Sequence, residues 1–400
     1  MKKKLLFIIP SLDAGGGEKS LVNLLNTIDY SKYEVDLFLF KDGGIFKEFV
    51  PKQVNILKLQ DKYKDFTLPL IKSVNKIMKK KDFSVLINRF LFAISNKLIK
   101  DKKNSDQYTW KYMNNSIDYL DEIYDVAIGF LEKSSIYLCV DKVKAKKKIG
   151  FIHTDYVKSG MNKKIDIGYF EKLDNIVTVS DECLITLKNK FPKLKSKMMI
   201  FNNIVSPRMI NKMSNLGKGN IYTKECNQRI ILSIGRLVNI KGFDLAVKAC
   251  KILVENNYDI KWYVIGDGEE RENLVQMIKS YNLEDRFILL GLKSNPYPYI
   301  KQADIYAQTS RYEGKSIALD EAKILEKPII VTDYSTAKDQ IEHKVNGLIV
   351  DMNPEAISKG IEYLINDVEL KNKLCTNLRN LDLSTENEIE KLYKIIDDNL

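Results

Sequence analysis

Residues 229–243 read Arg229-Ile230-Ile231-Leu232-Ser233-Ile234-Gly235-Arg236-Leu237-Val238-Asn239-Ile240-Lys241-Gly242-Phe243. Positions 230–234 form a short apolar run of strand length. Gly235 and Gly242 punctuate a loop, and the amphipathic stretch 243–256 reads as a helix. Strand, loop and helix in that order make half of a βαβ unit. The same alternation continues beyond it, with strands expected at 260–265, 287–290, 305–307, 329–332 and 347–350 and a helix at 270–281. It also precedes it, with strands at 5–10, 35–40, 126–130, 148–152 and 176–179. Helices are expected at 18–28 and 181–191, the second stopped by Pro192. The stretch 205–228 contains Pro207, Gly217 and Gly219 and has little periodicity, so it reads as a boundary. The expectation is an α/β chain of two similar domains, 1–205 and 229–385, with 206–228 as a linker and a helical tail at 386–400. Ligands of such sheets bind at the carboxyl ends of the strands, here in a cleft expected between the domains.

Composition narrows the class. The chain has 400 residues, of which 44% are hydrophobic and 29% charged, enough apolar surface to exclude general disorder. With 19 glycines and 9 prolines it is neither collagen-like nor low-complexity, and no 20–50-residue repeat is visible. No apolar run approaches the roughly 18 residues of a membrane span. The basic start and short run ending at Pro10 read as a buried strand rather than a signal peptide. The five cysteines, Cys139, Cys183, Cys226, Cys250 and Cys375, are scattered without a Cys-x-x-Cys, which points to a reducing compartment and away from zinc or disulfides.

The net charge of +11 is unevenly divided: residues 1–210 hold 38 Lys and Arg against 24 Asp and Glu, the remainder 26 against 29. A basic amino half suits an anionic partner (nucleic acid, anionic lipid or a phosphorylated substrate), and solvated lysines account for it equally well. No nucleic-acid recognition motif accompanies the charge, so nucleic acid is not expected as a partner. Only eight arginines occur, so an arginine inside a motif is informative.

Arg236 and Lys241, flanking the loop after an expected strand, could grip the two phosphates of a diphosphate and neutralise charge developing on a departing phosphate. Gly15-Gly16-Gly17-Glu18 lies where the first strand passes into a helix, and there Gly16 and Gly17 would let an anion approach the helix end. A tight turn explains these glycines equally, and Ser20 breaks the dinucleotide fingerprint. Turn chemistry alone covers Gly266-Asp267-Gly268. In the segment 308–322, Gln308-Thr309-Ser310-Arg311-Tyr312-Glu313-Gly314-Lys315-Ser316-Ile317-Ala318-Leu319-Asp320-Glu321-Ala322, Glu313 falls just before an expected helix and Glu321 about two turns into it. Eight helical residues rise about 12 Å, so the two carboxylates cannot share one atom. They could hold two hydroxyl-bearing parts of a long ligand, with the amides of Gly314, Lys315 and Ser316 facing phosphates between them. Asp320 competes with Glu321 for that role. His153, at the end of an expected strand, could hydrogen-bond a substrate hydroxyl or simply pack in the core; His343 reads as a surface residue. His-Glu-x-x-His, Asp-x-Asp, Gly-x-x-x-x-Gly-Lys-Ser/Thr and Gly-x-Ser-x-Gly are all absent, so no tightly held metal, P-loop or hydrolase elbow is expected.

Taken together, these motifs resemble retaining glycosyltransferase family 4. Residues 310–322 are similar to that family's two-glutamate donor motif, in which seven residues separate the glutamates. Gly235-Arg236-Leu237 with Lys241-Gly242 resembles its diphosphate-binding loop, and Gly15-Gly16-Gly17-Glu18-Lys19 its first glycine loop. Phe151-Ile152-His153, Val177-Thr178-Val179-Ser180 and Phe201-Asn202-Asn203-Ile204 follow in the family's order. The likeness is strong over 230–350 and looser over 45–145. It implies a GT-B fold, two facing Rossmann-like domains with the C-terminal helix rejoining the first. It also implies a nucleotide-sugar donor, UDP-linked by preference or GDP-linked, and no cofactor. Arg236 and Lys241 would bind the diphosphate, Glu313 the transferred sugar near its reacting carbon, Glu321 the ribose hydroxyls, and His153 the sugar from the other domain. Gly314-Lys315-Ser316 departs from the Gly-Phe-Gly of many members and is similar to members that build bacterial surface polysaccharides. The implied acceptor is a lipid-linked glycan at the cytoplasmic face of the membrane.

Lys76-Ile77-Met78-Lys79-Lys80-Lys81 precedes Phe83, Ile87, Phe90, Leu91, Ile94 and Leu98, which recur at helical spacing, and Lys97, Lys100, Lys102 and Lys103 follow. This stripe reads as a core-facing helix or, with its lysine rim, as a patch for an anionic membrane surface. Two alternatives share the architecture: a nucleotide-sugar epimerase, and a non-catalytic nucleotide-sugar-binding subunit.

Overall fold

The computed structural model describes residues 2–13, 15–216, 219, 221–222, 225 and 227–397. Met1, Gly217, Cys226 and the tail beyond 397 lie outside the described residues. The chain divides into two units, Met1–Ile204 with Glu386–Leu400, and Val205–Thr385.

The first unit contains β1 (Lys3–Ile9), β2 (Tyr33–Leu39), β3 (Asn55–Ile56), β4 (Ile123–Gly129), β5 (Lys144–Ile152), β6 (Asn175–Thr178) and β7 (Met198–Ile200). They form one sheet in the order β3-β2-β1-β4-β5-β6-β7, with every pair parallel. Leu5 of β1 pairs with Val35 on one side and Val126 on the other. A parallel sheet covered on both faces requires continuous apolar strands, and β1 supplies one: Leu5, Leu6, Phe7, Ile8 and Ile9 are all fully buried. Alternate side chains enter opposite cores. Leu5, Phe7 and Ile9 meet Leu21, Leu24, Leu392 and Ile395, while Leu6 and Ile8 share a core with Trp110, Tyr137 and Ile152.

Leu392 and Ile395 belong to the helix Ile389–Asp397, so the end of the chain completes the core begun at its start. Tyr393 stacks on Tyr33 at 5.0 Å between ring centroids, and Lys3 Nζ lies 2.8 Å from Asp397.

The second unit contains β8 (Arg229–Ile234), β9 (Ile260–Ile265), β10 (Phe287–Gly291), β11 (Ile305–Gln308), β12 (Ile329–Thr332) and β13 (Leu348–Val350), in the parallel order β10-β9-β8-β11-β12-β13. The chain winds outward from β8 to β10 and resumes at β11 on the other side of β8. The β8–β11 boundary is therefore the topological switch point, where such sheets bind ligands. The expected strands are all present, with ends shifted by at most four residues.

Two expectations are corrected. The supposed linker 206–228 contains the helix Pro207–Ser214, capped by Ser206, whose Oγ accepts from the Met209 amide at 3.2 Å; a Ser-Pro start encodes this helix, and 206–228 falls within the second unit. The stripe at 83–98 does form a helix, Phe83–Leu98, but it does not face a core: only Val85 and Arg89 on it are buried, whereas Phe83, Ile87 and Leu98 are 68%, 60% and 74% exposed. Among the described residues no helix is long and apolar enough to cross a membrane.

Leu392 is fully buried. Leu392→Ala should lower the stability of the first unit by about 3 kcal/mol through lost burial and the cavity left behind. The check is a shift of the urea unfolding midpoint, with the exposed Leu381→Ala as a near-neutral control.

Candidate active site

The loops after β8, β11 and β12 meet at the switch point. After β8 the backbone runs through Gly235-Arg236-Leu237 with another loop pressed against it: the Leu237 amide donates to the Asp267 carbonyl at 3.0 Å. Gly266 has φ +150°, and a Cβ there would lie 1.9 Å from the Gly235 carbonyl oxygen. The Gly266-Asp267-Gly268 turn therefore buttresses the Arg236 loop, and the glycine allows the close approach. The Arg236 side chain is exposed and, among the described residues, has neither an ion-pair nor a hydrogen-bond partner.

A short 3-10 turn, Asn239–Lys241, ends at Gly242, which is left-handed with φ +64°. A Cβ on Gly242 would lie 2.0 Å from the Thr309 carbonyl oxygen. The loop after β8 is thus fastened to the loop after β11. Arg311 reinforces the contact: its amide donates to the Ile240 carbonyl at 2.8 Å, its Nη1 to the Asn239 carbonyl at 2.8 Å, and its two Nη atoms to the Asp244 carboxylate at 2.7 Å each. Burial works against ionisation of Asp244, but the Arg311 hydrogen bonds and charge, with smaller help from a backbone hydrogen bond and Lys248, together hold the carboxyl below its ordinary range.

That fastening brings Lys241 onto Glu313. Lys241 Nζ donates to Glu313 Oε1 at 2.6 Å and to Oε2 at 2.8 Å. Ser310 Oγ and Gln308 Nε2 also donate to Oε1, at 2.6 and 3.3 Å, and Thr336 Oγ1 donates to the Glu313 carbonyl at 2.9 Å. Gln308 links the parts: its Nε2 reaches Tyr334 OH at 3.2 Å, and its Oε1 accepts from Ser316 Oγ at 2.9 Å. Ser316 caps the helix Ile317–Ile324 by accepting from the Leu319 amide at 3.3 Å.

Two sequence expectations change here. The helix begins at Ile317, so Glu321 is its fifth residue, just over one turn in rather than two. The Ser316 amide does not face an open site, because it donates to Gln340 Oε1 at 2.8 Å, while Gly314 and Lys315 remain exposed. Glu321 is 1% exposed and accepts from Tyr297 OH at 3.1 Å. Asp320 is turned instead to Gln340 Nε2 at 3.0 Å, and burial raises its carboxyl above the usual range.

Gly16, Gly17 and His153 belong to the first unit. Its first helix is Gly16–Thr27, so both glycines lie in the opening turn rather than in the loop before it, and a Cβ on Gly17 would lie 2.6 Å from Leu131 Cδ2. His153 follows β5, with its ring 4.9 Å from that of Phe130 and 5.9 Å from that of Phe151. Its Nε2 is buried and has no hydrogen-bond partner. Burial pushes the imidazole pKa down to about 4, against a smaller opposing effect of the Phe130 backbone hydrogen bond. Glu132, which sequence reasoning missed, accepts from the His153 amide at 3.2 Å, and burial raises its carboxyl. Its one signal was its place just past β4, beside the β5 end that carries His153. His343 is exposed, and its Nδ1 accepts from the Ile349 amide at 3.0 Å. Among the described residues no group of three or more His, Cys, Asp or Glu is placed to hold a metal ion.

The fold and these loops define the class, a GT-B protein. Across solved structures the chain is similar to Staphylococcus aureus TarM, crystallised with fondaparinux, α-GlcNAc-glycerol and UDP, at TM-score 0.65 and 17% identity, covering 99% of this chain and 100% of that one. It is similar in the same way to Anabaena HepE in complex with UDP-glucose, at TM-score 0.65 and 16% identity, covering 98% and 100%. Residues 220–381 match the family described as glycosyl transferases group 1. Among curated proteins it is 26% identical over 386 residues to the Campylobacter jejuni N-acetylgalactosamine-N,N'-diacetylbacillosaminyl-diphospho-undecaprenol 4-alpha-N-acetylgalactosaminyltransferase, covering 95% of this chain and 96% of that protein. It is 32% identical over 196 residues to an uncharacterized glycosyltransferase of Haemophilus influenzae, covering 48% of this chain and 54% of that one, so this match spans about half of either protein.

Gly242→Ala combines a left-handed backbone with a collision at Thr309, and should cost the second unit about 2–3 kcal/mol. Gly314→Ala meets nothing within 4 Å of its new Cβ and should be near neutral; thermal melts of the two variants test the contrast.

The depressed His153 pKa sets a pH dependence. The unfolded chain binds a proton near pH 6.5 that the folded chain refuses until about pH 4. His153 therefore removes stability as pH falls through that window and contributes no slope above it. His153→Gln should flatten the dependence of the denaturation midpoint between pH 6.5 and 4 relative to the unmodified chain.

Proposed function

We propose that the protein is a retaining, metal-independent glycosyltransferase. It moves a sugar from a nucleoside-diphosphate sugar, UDP-linked by preference, to a hydroxyl of a lipid-linked glycan at the cytoplasmic face of a bacterial membrane, in surface-polysaccharide synthesis. The observation that carries this reading is the Lys241–Glu313 contact at the β8–β11 switch point, inside the stretch matched by the transferase family. The names of the relatives support the finer points: TarM and HepE were crystallised with UDP or UDP-glucose, and the name of the Campylobacter protein includes a diphospho-undecaprenol acceptor.

In this reading the exposed Arg236 guanidinium meets the donor diphosphate first, and Lys241 stands between that diphosphate and Glu313. Glu313 lies beside the anomeric carbon, where a carboxylate stabilises positive charge developing on the sugar. Glu321 takes the ribose hydroxyls, while Gly16 and Gly17 offer backbone to the donor. His153, uncharged at neutral pH, accepts a hydrogen bond from a sugar hydroxyl through Nε2. The bond from the anomeric carbon to the diphosphate oxygen breaks, and a bond from that carbon to the acceptor oxygen forms on the same face. The acceptor proton passes to the leaving phosphate, so no other reactant is needed. Two side-chain cations carry the charge of the leaving group.

Arg236→Ala and Lys241→Ala should each lower kcat/KM about a hundredfold, or about 3 kcal/mol of transition-state stabilisation. Transfer measured with a purified lipid-linked glycan acceptor tests this, and normal rates in both variants would remove the phosphate assignment. A thermal-shift panel of UDP-, GDP-, ADP- and TDP-sugars should raise the melting temperature most with a UDP-sugar. Donor binding without transfer would instead favour a non-catalytic subunit, and conversion of the free donor without acceptor an epimerase. Activity that survives EDTA is expected.

A further inference from the structure

Gln340 stands where the chain, having left β12, turns back on the loop that carries Glu313. It closes the one-turn helix Ala337–Gln340 and is 7% exposed. A primary amide has two N–H donors and a carbonyl acceptor, and burying it is costly unless they are used. Gln340 uses each of them. Its Oε1 accepts from the Ser316 amide at 2.8 Å, and its Nε2 donates to the Ser316 carbonyl and to Asp320 Oδ1 at 3.0 Å each. The main chain of Gln340 is held as well, because Lys323 Nζ donates to its carbonyl at 3.0 Å.

Ser316 is extended, with φ −86° and ψ 111°. An extended residue turns its N–H and C=O to the same edge, as at the paired positions of a sheet. One side-chain amide can therefore take both, and Gln340 does for Ser316 what a neighbouring strand would do. A carboxylate of the same shape could not, because it presents acceptors alone. The same segment fastens the other end of the loop, where Thr336 Oγ1 donates to the Glu313 carbonyl at 2.9 Å. Between the two fixed ends lie Gly314 and Lys315, both exposed, and a Cβ on Gly314 would meet nothing within 4 Å. An open, glycine-containing stretch loses conformational entropy when a ligand orders it, and fixing its ends beforehand removes part of that cost.

We propose that Gln340 is a positioning residue for sugar transfer. Its amide grips both backbone groups of Ser316 while Thr336 grips Glu313, and the loop between them is held ready for the outer phosphate and the sugar of the donor. Gln340 touches no substrate and acts through the loop backbone. Because it occupies the Ser316 amide, the amides of Gly314 and Lys315 are the ones offered to the phosphate. This inference rests on the transferase reading and deepens it, by naming the group that presets the donor loop.

The test uses the full chain, with UDP and UMP as probes; should the sugar panel select another base, its diphosphate and monophosphate take their place. Gln340→Glu keeps the shape and one acceptor, loses the donor and sets a second carboxylate against Asp320. It should lower kcat/KM about tenfold or more, through the KM of the nucleotide-sugar more than through kcat. By calorimetry it should weaken UDP about tenfold, and UMP, which lacks the outer phosphate, about twofold or less. Thr336→Val removes only the hydroxyl bond to Glu313 and should act in the same direction. The double variant should lose little more than the worse single one, because both bonds fix one loop. Equal weakening of UDP and UMP, or losses that multiply in full in the double variant, would make Gln340 a structural residue only and overturn the proposal. So would UDP binding and transfer that Gln340→Glu and Gln340→Leu leave unchanged, a result that spares the transferase reading. If the unmodified chain binds no nucleoside diphosphate, that reading falls and this inference with it.

Discussion

A lysine and a glutamate 72 positions apart in sequence hold the candidate site together. The Lys241–Glu313 pair is largely out of water, and such pairs survive only where further hydrogen bonds complete the geometry. Here Ser310 and Gln308 complete it on the carboxylate, and the backbone contact of Gly242 with Thr309 fixes the distance between the loops. The chain thus uses one of its cations to balance its own carboxylate and leaves the other, Arg236, uncompensated and open.

The sequence revealed the frame more readily than the fastening. Continuous apolar runs such as 5–9 and 230–234 identify strands buried on both faces, and the glycines and cations beside them mark Arg236, Lys241, Glu313 and Glu321 as candidates, whereas the short edge strands β3 and β7 of the first sheet carry too few residues to show a pattern. What escaped depends on contacts distant in sequence. Arg311 lies within the quoted segment and is one of only eight arginines, yet its bidentate partner Asp244 is a routine first-turn acid until the two loops are brought together. The early start of the helix at Gly16 and the use of the Ser316 amide by Gln340 are likewise tertiary facts. The 83–98 stripe shows the limit of periodicity. Spacing locates the face of a helix and does not say whether protein or something else covers it.

Some glycine turns sit where another backbone comes within contact distance, and others face open space. Gly242 and Gly266 are of the first kind and Gly314 is of the second. Substitutions at glycines of this protein therefore differ widely in consequence despite their shared chemistry, and the difference follows from what lies opposite each missing side chain.

The helix Ile389–Asp397 has a consequence for biosynthesis. The aliphatic layer under the opening strand stays unsealed on the ribosome until residues 389–397 have emerged, while the intervening lobe, contiguous from Val205 to Thr385, can collapse earlier. The later-made lobe is thus able to mature first, and the earlier-made one must wait as a nascent intermediate with apolar surface showing, a period in which chaperones have something to hold.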